Sequence, residues 1–364
     1  MSDFNTLFWD RNEEIGLSGQ GASAHLFGLS HPSVNSMYDQ FIVPIEENPR
    51  GFIFKGGTYI KILLPKEGGG YDHFVFGVED DLLVNHAEQR LDAGITFQPG
   101  RDYYIYLCYN APDGTQKTAQ AEIVISLNST FPAGYNANNS RKIGGFHTLC
   151  ADVGTIAGHW LSGYRAGDIL PASFWDLRHR PTCQPEGMVY VKQLDFWSDI
   201  YLQSGSRANT RSMHLGTVTK SQSYSEHLED LFTVGKTALY DEEFSCAAEG
   251  SNQRTNIQGS ADPITTGGKV DTAGRRMISN YGLEDCAGAY WQWLAGWSFG
   301  SNQTAAYVAD GMKGSIYQTN ALLAGGSWSY GALCGSRARS AATSRVHVST
   351  SRGCRGRARS RGSR

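Results

Sequence analysis

The amino-acid sequence predicts an α+β protein in which an N-terminal all-β module, of sandwich or jelly-roll type, precedes a domain that mixes helices with strands. Three observations support this class. Short aromatic and β-branched runs fill the first 128 residues, and helix signals appear only after residue 186. Glycine supplies 43 of the 364 residues and charged residues only 18%, a composition typical of turn-rich globular chains. The predicted regions are an attachment module (1–128), a connector (129–185) and a C-terminal domain (186–364).

The attachment module is predicted from five strand-like runs that are separated by turns containing Gly-Gly, Pro-Gly or Pro-Asp-Gly. The runs are Phe52–Phe54, Thr58–Leu64, His73–Val78, Arg101–Tyr109 and Glu122–Leu127. In the last run, Ile123, Ile125 and Leu127 alternate with Glu122, Val124 and Ser126, which is the period of a strand with two distinct faces.

Two helices are predicted in the C-terminal domain. Ser223 and Glu226 have the spacing of a capping box, and the apolar residues Leu228, Leu231 and Phe232 then fall on one helical face. A second helix is predicted by three acidic residues in a first turn, Asp241 to Glu243, followed by Phe244, Ala247 and Ala248, with Gly250 as a stop signal.

The charge distribution is strongly asymmetric. The last forty residues, from Gly325 to Arg364, contain nine of the 32 basic residues and no acidic residue, which leaves 23 basic and 35 acidic residues in the first 324. An arginine-rich tail suggests nucleic-acid binding, since each guanidinium can neutralise a phosphate. The alternatives are that Arg337, Arg339, Arg345 and Arg355 fix loops by binding carbonyls and acids, and that the residues after 356 form a frayed, solvated end.

Motifs for enzymatic chemistry are mostly missing. The sequence has no G-x-S-x-G, G-x-G-x-x-G or P-loop pattern, and the His86-x-Glu88 and His227-x-Glu229 pairs are predicted to be solvated surface pairs rather than half of a zinc deaminase motif. The seven cysteines are scattered without a C-x-x-C pair, which favours reduced structural thiols over a disulfide framework. We therefore expect no metal and no cofactor.

One calcium arrangement stays open at this stage. Asp262, Asp271, Glu284 and Asp285 could hold Ca²⁺ together with loop carbonyls, although Asx turns and loop capping explain these acids equally well. A membrane span is not expected because no run of 18 apolar residues exists, and the N-terminus lacks the pattern of a secretory signal peptide.

Two segments of the C-terminal domain carry a resemblance to a known family. Gly282–Trp293 (GLEDCAGAYWQW) resembles a segment of C-type lectin folds of the formylglycine-generating, sulfatase-modifying type, and Gly325–Trp328, Cys334–Arg337 and Gly353–Gly356 resemble that fold's closing strands. Within this group the pattern is most similar to the variable proteins of diversity-generating retroelements, which include phage tropism determinants. The resemblance covers roughly residues 186–356 and places a variable region at about 325–356.

The resemblance implies a fixed scaffold that displays changeable side chains. Retroelement mutagenesis of adenines in AAY codons cannot produce Lys, Glu, Gln, Met or Trp, and none of these five occurs between Ser329 and Arg352. The implied displayed residues are Ser327, Ser329, Tyr330, Ala332, Leu333, Ser340, Ala341, Ala342, Thr343, Val346, His347, Val348 and Ser349. The implied scaffold residues are Trp291, Trp293, Trp328, Arg337, Arg339, Arg345 and Arg355.

The predicted function is recognition without catalysis. We expect a receptor-binding component of a phage or prophage tail fibre that determines host tropism, located in the virion. Its partner would be a protein or glycan receptor on a target cell, bound by a homotrimer or another tail assembly, and nucleic acid would not be a partner. Tyr330 and His347 are the expected anchors, with Leu333, Val346 and Val348 forming an exposed apolar patch. The alternatives are a formylglycine-generating-type oxidase, which would need a copper-binding cysteine pair, and a nucleic-acid binder that uses the arginine-rich tail.

Overall fold

The computed structural model describes residues 33–65, 71–85, 90–92, 96–110, 120–299 and 319–361. These residues form two compact units. The first unit comprises the described residues within Met1–Thr96, Tyr103–Gly145 and Trp175–Arg178, and the second comprises those within Phe97–Asp102, Phe146–Phe174 and His179–Arg364. The units therefore interleave along the sequence.

The first unit is built from strands arranged in three sheets. The strands are β1 (Ser33–Asn35), β2 (Ile42–Ile45), β3 (Asn48–Phe54), β4 (Thr58–Pro65), β5 (Tyr71–Val78), β6 (Leu82–Asn85), β7 (Arg90–Leu91), β8 (Asp102–Asn110), β9 (Gln120–Ser126), β10 (Ser140–His147) and β11 (Trp175–Asp176). The strand orders are β1-β4-β5, β2-β3-β6 and β11-β10-β8-β9-β7. The pair β7 and β9 is parallel, whereas the pairs β1–β4, β4–β5, β2–β3, β3–β6, β8–β9 and β10–β11 are antiparallel.

Strand β9 is covered on both faces rather than on one. Ile123, Val124 and Ile125 are all buried, although the sequence predicts alternating faces. Ser126 is also buried, and its hydroxyl donates to a carboxylate oxygen of Asp92 at 2.6 Å, so its polar group is satisfied in the interior.

The second unit contains the remaining strands and both described α-helices. Its sheets have the orders β12-β22-β14-β13, with β17 also paired to β22, and β20-β19-β18-β21, together with the β15-β16 pair. The strands are β12 (Arg180–Pro181), β13 (Met188–Val191), β14 (Phe196–Asp199), β15 (Gln203–Ser204), β16 (Arg211–Ser212), β17 (Thr237–Ala238), β18 (Trp291–Phe299), β19 (Thr319–Gly325), β20 (Gly335–Ser344), β21 (Arg352–Cys354) and β22 (Gly356–Arg361). The helices are α1 (Tyr224–Thr233) and α2 (Asp241–Ala247).

Helix α1 begins as the sequence predicts. The Ser223 hydroxyl accepts a hydrogen bond from the Glu226 amide, and the Glu226 carboxylate accepts one from the Ser223 amide at 2.7 Å. The buried side of the helix differs from the predicted one, because Phe232 is 58% exposed whereas His227 is fully buried. The expectation that His227 lies on the surface is therefore wrong.

Helix α2 starts at the acidic cluster, where the three carboxylates in the first turn stabilise the helix by interacting with the positive end of its dipole. Phe244 and Ala247 are buried and pack into the main core of the unit with Val189, Leu239 and Leu294. A second cluster forms around Trp291, Trp293 and Leu323, and it lies under the sheet that contains β18, β19 and β20.

The predicted α+β class with a self-contained N-terminal all-β module is wrong. The described chain is mostly β in both units, and its two α-helices have only ten and seven residues. Strands β10 and β11 come from the predicted connector and pair in the first unit's largest sheet through Gly144–Asp176 and Gly145–Trp175. Neither of these helices approaches the length and apolarity that a bilayer span requires.

Candidate functional site

The predicted displayed residues lie on three consecutive pieces of the second unit. These are the turn after β19 that includes the 3-10 helix Gly331–Leu333, the strand β20 at the edge of its sheet, and the loop 345–351. Nine side chains are exposed, namely Ser329, Tyr330, Ala332, Leu333, Ala341, Ala342, Val346, His347 and Val348, and three are half-buried, namely Ser340, Thr343 and Ser349. These twelve residues are called the variable face below.

Ser327 does not belong to this face, which corrects the sequence-based set. Its side chain is fully buried, and its carbonyl accepts a hydrogen bond from the Cys334 thiol. The preceding Gly326 has a φ of +85°, and a Cβ there would lie 2.7 Å from the Cys334 sulfur. Gly326 and the buried Ser327 therefore fix the start of the turn, while the residues after them reach the solvent.

Buried aromatic rings support the turn from below. Trp291 and Trp293 are buried on β18, and the Tyr330 ring packs edge-on against Trp291 with the ring centroids 5.3 Å apart. Trp328 is partly buried and packs against Tyr290 at 5.0 Å. Tyr330 is thus held at its base by Trp291 while 45% of its surface stays exposed.

Arg339 attaches the edge strand β20 to helix α2. Its guanidinium forms an ion pair with Asp241 and a hydrogen bond of 2.6 Å with the Ser245 hydroxyl, and it lies over the Phe244 ring at 5.0 Å. It also donates to the carbonyl of Ser336 at 2.7 Å. A planar guanidinium can make all these contacts at once, so the strand is fixed from behind without using the side chains of the variable face.

The loop 345–351 is fixed by the start of helix α1. The Tyr224 amide donates to the Arg345 carbonyl at 3.0 Å, and the Ser221 amide donates to the Ser349 carbonyl at 3.0 Å. The Arg345 guanidinium lies over the Tyr224 ring at 5.0 Å. Backbone contacts of this kind do not depend on which side chains the loop carries.

Arg355 is buried beneath the site. It is 1% exposed, and its guanidinium donates to the carbonyls of Asp199, Ile200 and Glu284 and to the side-chain oxygen of Gln292. Arg337 differs from the other predicted scaffold residues, because its side chain is exposed on β20.

Arg352 is a member of the site that the sequence analysis missed. Its guanidinium lies over the Trp293 ring at 5.3 Å and donates to the Thr343 hydroxyl at 3.4 Å. Partial burial lowers the pKa of Arg352, while nearby Tyr330 acts in the opposite direction. Burial and the nearby Arg352 charge both lower the pKa of His347, which favours a neutral imidazole at pH 7. No local sequence signal separates Arg352 from the other arginines after Gly325, because its place depends on Trp293 in another strand.

Comparison with known proteins now identifies the family. Residues 49–176 match the family model described as the Mtd second domain. The tail fiber receptor-binding protein of Bordetella phage BPP-1 is 32% identical over 267 residues, which cover 66% of this chain and 66% of that protein. Solved structures of the M1 and I1 variants of the major tropism determinant superpose with TM-scores of 0.69 at 25% and 24% identity, over 91% of this chain and 86% of theirs.

The chain belongs to the tropism-determinant family. This confirms the prediction of a retroelement variable protein that was made from the motifs around Trp291 and Trp328. The more specific assignment of a C-type lectin fold to residues 186–364 stays a prediction.

The arginine-rich end of this family member is a folded strand. β22 pairs with β12, β14 and β17, so it lies inside its sheet, and the expected frayed end is wrong as far as Arg361. The Arg357 guanidinium pairs with Glu243 at 3.0 Å. The last three residues, 362–364, lie outside the described residues. The ion pair makes the Arg357 guanidinium less available to phosphates, and a folded strand replaces the flexible basic tail that the nucleic-acid alternative assumed.

Two cysteines of this chain, Cys334 and Cys354, bear on the oxidase alternative, which needs a copper-binding cysteine pair. Cys334 and Cys354 are buried, and burial raises the pKa of Cys334 to about 11 and that of Cys354 to about 12. Both thiols donate to carbonyls, those of Ser327 and Trp293 respectively. Burial thus favours the protonated thiols, so a metal bound there would have to displace both protons.

The four acids considered for calcium have separate protein partners. Asp262 is bound by Lys220 and by Tyr290, and Asp271 accepts hydrogen bonds from the amides of Ala273 and Arg275. Glu284 pairs with Arg276 at 2.6 Å, and Asp285 accepts from the Gly267 amide at 2.7 Å. Within the described residues, no group of three or more His, Cys, Asp or Glu side chains converges on a possible metal position.

Proposed function

We propose that the chain is a non-enzymatic receptor-binding protein whose variable face binds a receptor on the surface of a target cell. The observation that carries the proposal is the separation of roles along residues 327–355. Backbone groups and arginines hold this segment from behind, and twelve of the thirteen side chains that the family resemblance marks as changeable are exposed or half-buried.

The exposed apolar surface supports this proposal. Leu333 is 71% exposed, Val348 is 52% exposed and Tyr330 is 45% exposed, and all three belong to the variable face. Clustered apolar residues at the surface are typical of interaction sites, and aromatic side chains contribute a large contact area at low entropic cost. Substitutions at exposed positions usually change stability by about 0.5 kcal/mol or less, so such a face can change without unfolding the protein.

The proposed setting is a phage tail. The relative from Bordetella phage BPP-1 is described as a tail fiber protein, and presentation in several copies, as a homotrimer or another tail assembly, would add avidity to weak single contacts. Diversification predicts an imperfect, adenine-rich repeat of the coding sequence for residues 327–352 close to the gene, together with a reverse transcriptase gene.

The test is binding of the fluorescently labelled full-length chain to a panel of bacterial strains. The face variant combines Tyr330→Ala, Leu333→Ser and Val348→Ser. The control variant combines Leu194→Ser and Phe232→Ser, which alter side chains of similar exposure, 47% and 58%, outside the variable face.

We expect at least one strain to bind the wild type and the control equally and to lose the face variant. Equal binding of the face variant, with all three proteins showing the same melting temperature, would refute the proposal. Failure of the wild type to bind any strain would also count against it.

A further inference from the structure

The variable face carries positive charge that the described residues do not neutralise. Arg339 and Arg357 pair with acids of helix α2, and Arg355 is buried among carbonyls. Arg337 and Arg352 have no ion-pair partner among the described residues, and both lie within or beside the variable face. The segment 325–361 contains no aspartate, glutamate or lysine. The positive charge therefore comes from arginines outside the displayed set, whatever that set becomes.

Arg352 is the more informative of these two arginines because it is only partly accessible. Its Nε and Nη1 atoms are shielded from solvent and have no hydrogen-bond partner, while Nη2 contacts Thr343 at 3.4 Å. Removing a cation from water without supplying a counter-charge costs free energy. A carboxylate that approaches the outer edge of the guanidinium would recover part of that free energy.

The surroundings of Arg352 are suited to a protein surface. Tyr330 lies close enough to affect the pKa of Arg352, and Arg352 lies close enough to affect the pKa of His347. Leu333, Val346 and Val348 are exposed in the same segment. Aromatic residues and arginine are enriched in protein–protein interfaces, where a few of them supply most of the binding energy.

We propose that the receptor is a protein whose surface presents carboxylate side chains beside apolar ones, with a carboxylate against Arg352 and apolar side chains against Tyr330 and Leu333. This inference rests on the proposed receptor-binding function and adds the chemical class of the partner. It also implies that diversification changes the apolar and polar contacts while the preference for acidic surfaces stays constant.

The probe is a random twelve-residue peptide library displayed on yeast and selected with the full-length chain. The selected peptides are then measured against Arg352→Gln and Arg337→Gln, which remove each positive charge separately. Arg359→Gln is the matched control, since Arg359 is an exposed arginine on β22, away from the variable face. Melting temperatures of all variants establish that they are folded.

The inference predicts selected peptides rich in Asp and Glu next to apolar residues, and binding that weakens about tenfold or more in Arg352→Gln. Binding should also weaken between 50 and 500 mM salt, as expected for charge-dependent contacts, and should stay within about twofold in Arg359→Gln. Peptides without net negative charge, unchanged affinity in Arg352→Gln, or no enriched peptide while the acidic polysaccharide polygalacturonate binds the face would each overturn the inference.

The two proposals fail in different ways. The face variant Tyr330→Ala, Leu333→Ser, Val348→Ser is measured in parallel on cells. If it loses cell binding while Arg352→Gln keeps all of it, the receptor-binding function stands and only the acidic-partner inference falls. If the face variant keeps all cell binding, the function itself falls.

Discussion

Replacing Arg355 by alanine is expected to destabilise the second unit by about 4 kcal/mol or more. The side chain is 1% exposed and donates to three carbonyls and one side-chain oxygen. Each buried acceptor that loses its donor costs about 1–3 kcal/mol. The Ile200 carbonyl keeps the Glu284 amide as a donor at 2.8 Å, and the Asp199 carbonyl keeps the Ser198 hydroxyl at 3.3 Å. The Glu284 carbonyl and the Gln292 side-chain oxygen lose their donor, which costs at least about 2 kcal/mol, and the cavity left by a large buried side chain adds about 2 kcal/mol or more.

The assay is thermal and urea unfolding of the full-length chain, followed by tryptophan fluorescence because Trp291 and Trp293 lie in the second unit. For a unit of about 150–250 residues, 1 kcal/mol corresponds to about 2–4 °C in melting temperature, so Arg355→Ala should lower it by about 8–16 °C. Arg337→Ala is the control, since that arginine is exposed, and its effect should stay within about 0.5 kcal/mol.

Arg355→Lys separates the charge from the shape of the guanidinium. Lysine keeps the positive charge but cannot reproduce the planar arrangement of donors toward Gln292 and the three carbonyls, so an intermediate loss is expected. The reasoning is refuted if Arg355→Ala unfolds within about 1 kcal/mol of the wild type, because the buried carbonyls would then have been satisfied in another way.

Three further predictions concern buried charge, pH dependence and the variable face. Asp199→Asn leaves the buried Lys236 ammonium without the carboxylate that lies 2.6 Å away in the wild type. The free energy of unfolding, measured in urea, should fall by about 3–5 kcal/mol. The control Asp241→Asn breaks the partly exposed pair with Arg339 and should cost about 1 kcal/mol or less. Burial lowers the pKa of His227 from 6.5 to about 4, so the unfolded state takes up the proton first and stability falls as the pH drops from 6.5 to 4. At 1.36 kcal/mol per pKa unit this is a loss of about 3 kcal/mol, which His227→Gln should remove; identical pH profiles would contradict it. Ala342→Asp, at an exposed position, should change the melting temperature by less than about 2 °C, and a larger fall would show that β20 is not free to vary.

The start of helix α1 was predictable, but its buried face was not. The capping box depends on two neighbouring residues, and local sequence is enough to identify it. The buried face includes His227 and Asp230, which hydrophobic periodicity assigns to solvent. Both are bound by Gln203, whose side-chain oxygen contacts His227 Nδ1 at 2.8 Å and whose amide group donates to Asp230 at 3.0 Å. Since Gln203 lies more than twenty residues away, no local pattern shows that these polar groups can be buried, and Phe232 is displaced to the surface.

The variable face was largely predictable for a different reason. The family resemblance implies which positions are changeable, and changeable positions have to avoid the core, so their exposure could be expected. Ser327 is the exception, since its neighbour Gly326 turns the chain inward at a positive φ that the displayed positions do not need. Arg352 was missed because its place in the face comes from stacking on Trp293, a residue 59 positions earlier in the chain.

The arginine-rich end shows how composition can hide periodicity. In Gly356–Arg361 the small residues alternate with arginines, and the structure buries the Gly, Ala and Ser positions, whereas Arg359 and Arg361 are exposed and Arg357 is half-buried against Glu243. A period of two is the pattern of a strand, and small residues on the inner side let β22 approach β14 and β17 closely. A Cβ at Gly356 would lie 2.5 Å from a carboxylate oxygen of Asp199, which shows how close that approach is. Three of the nine arginines that suggested a nucleic-acid tail therefore occupy alternate positions of a strand inside a sheet of the second unit.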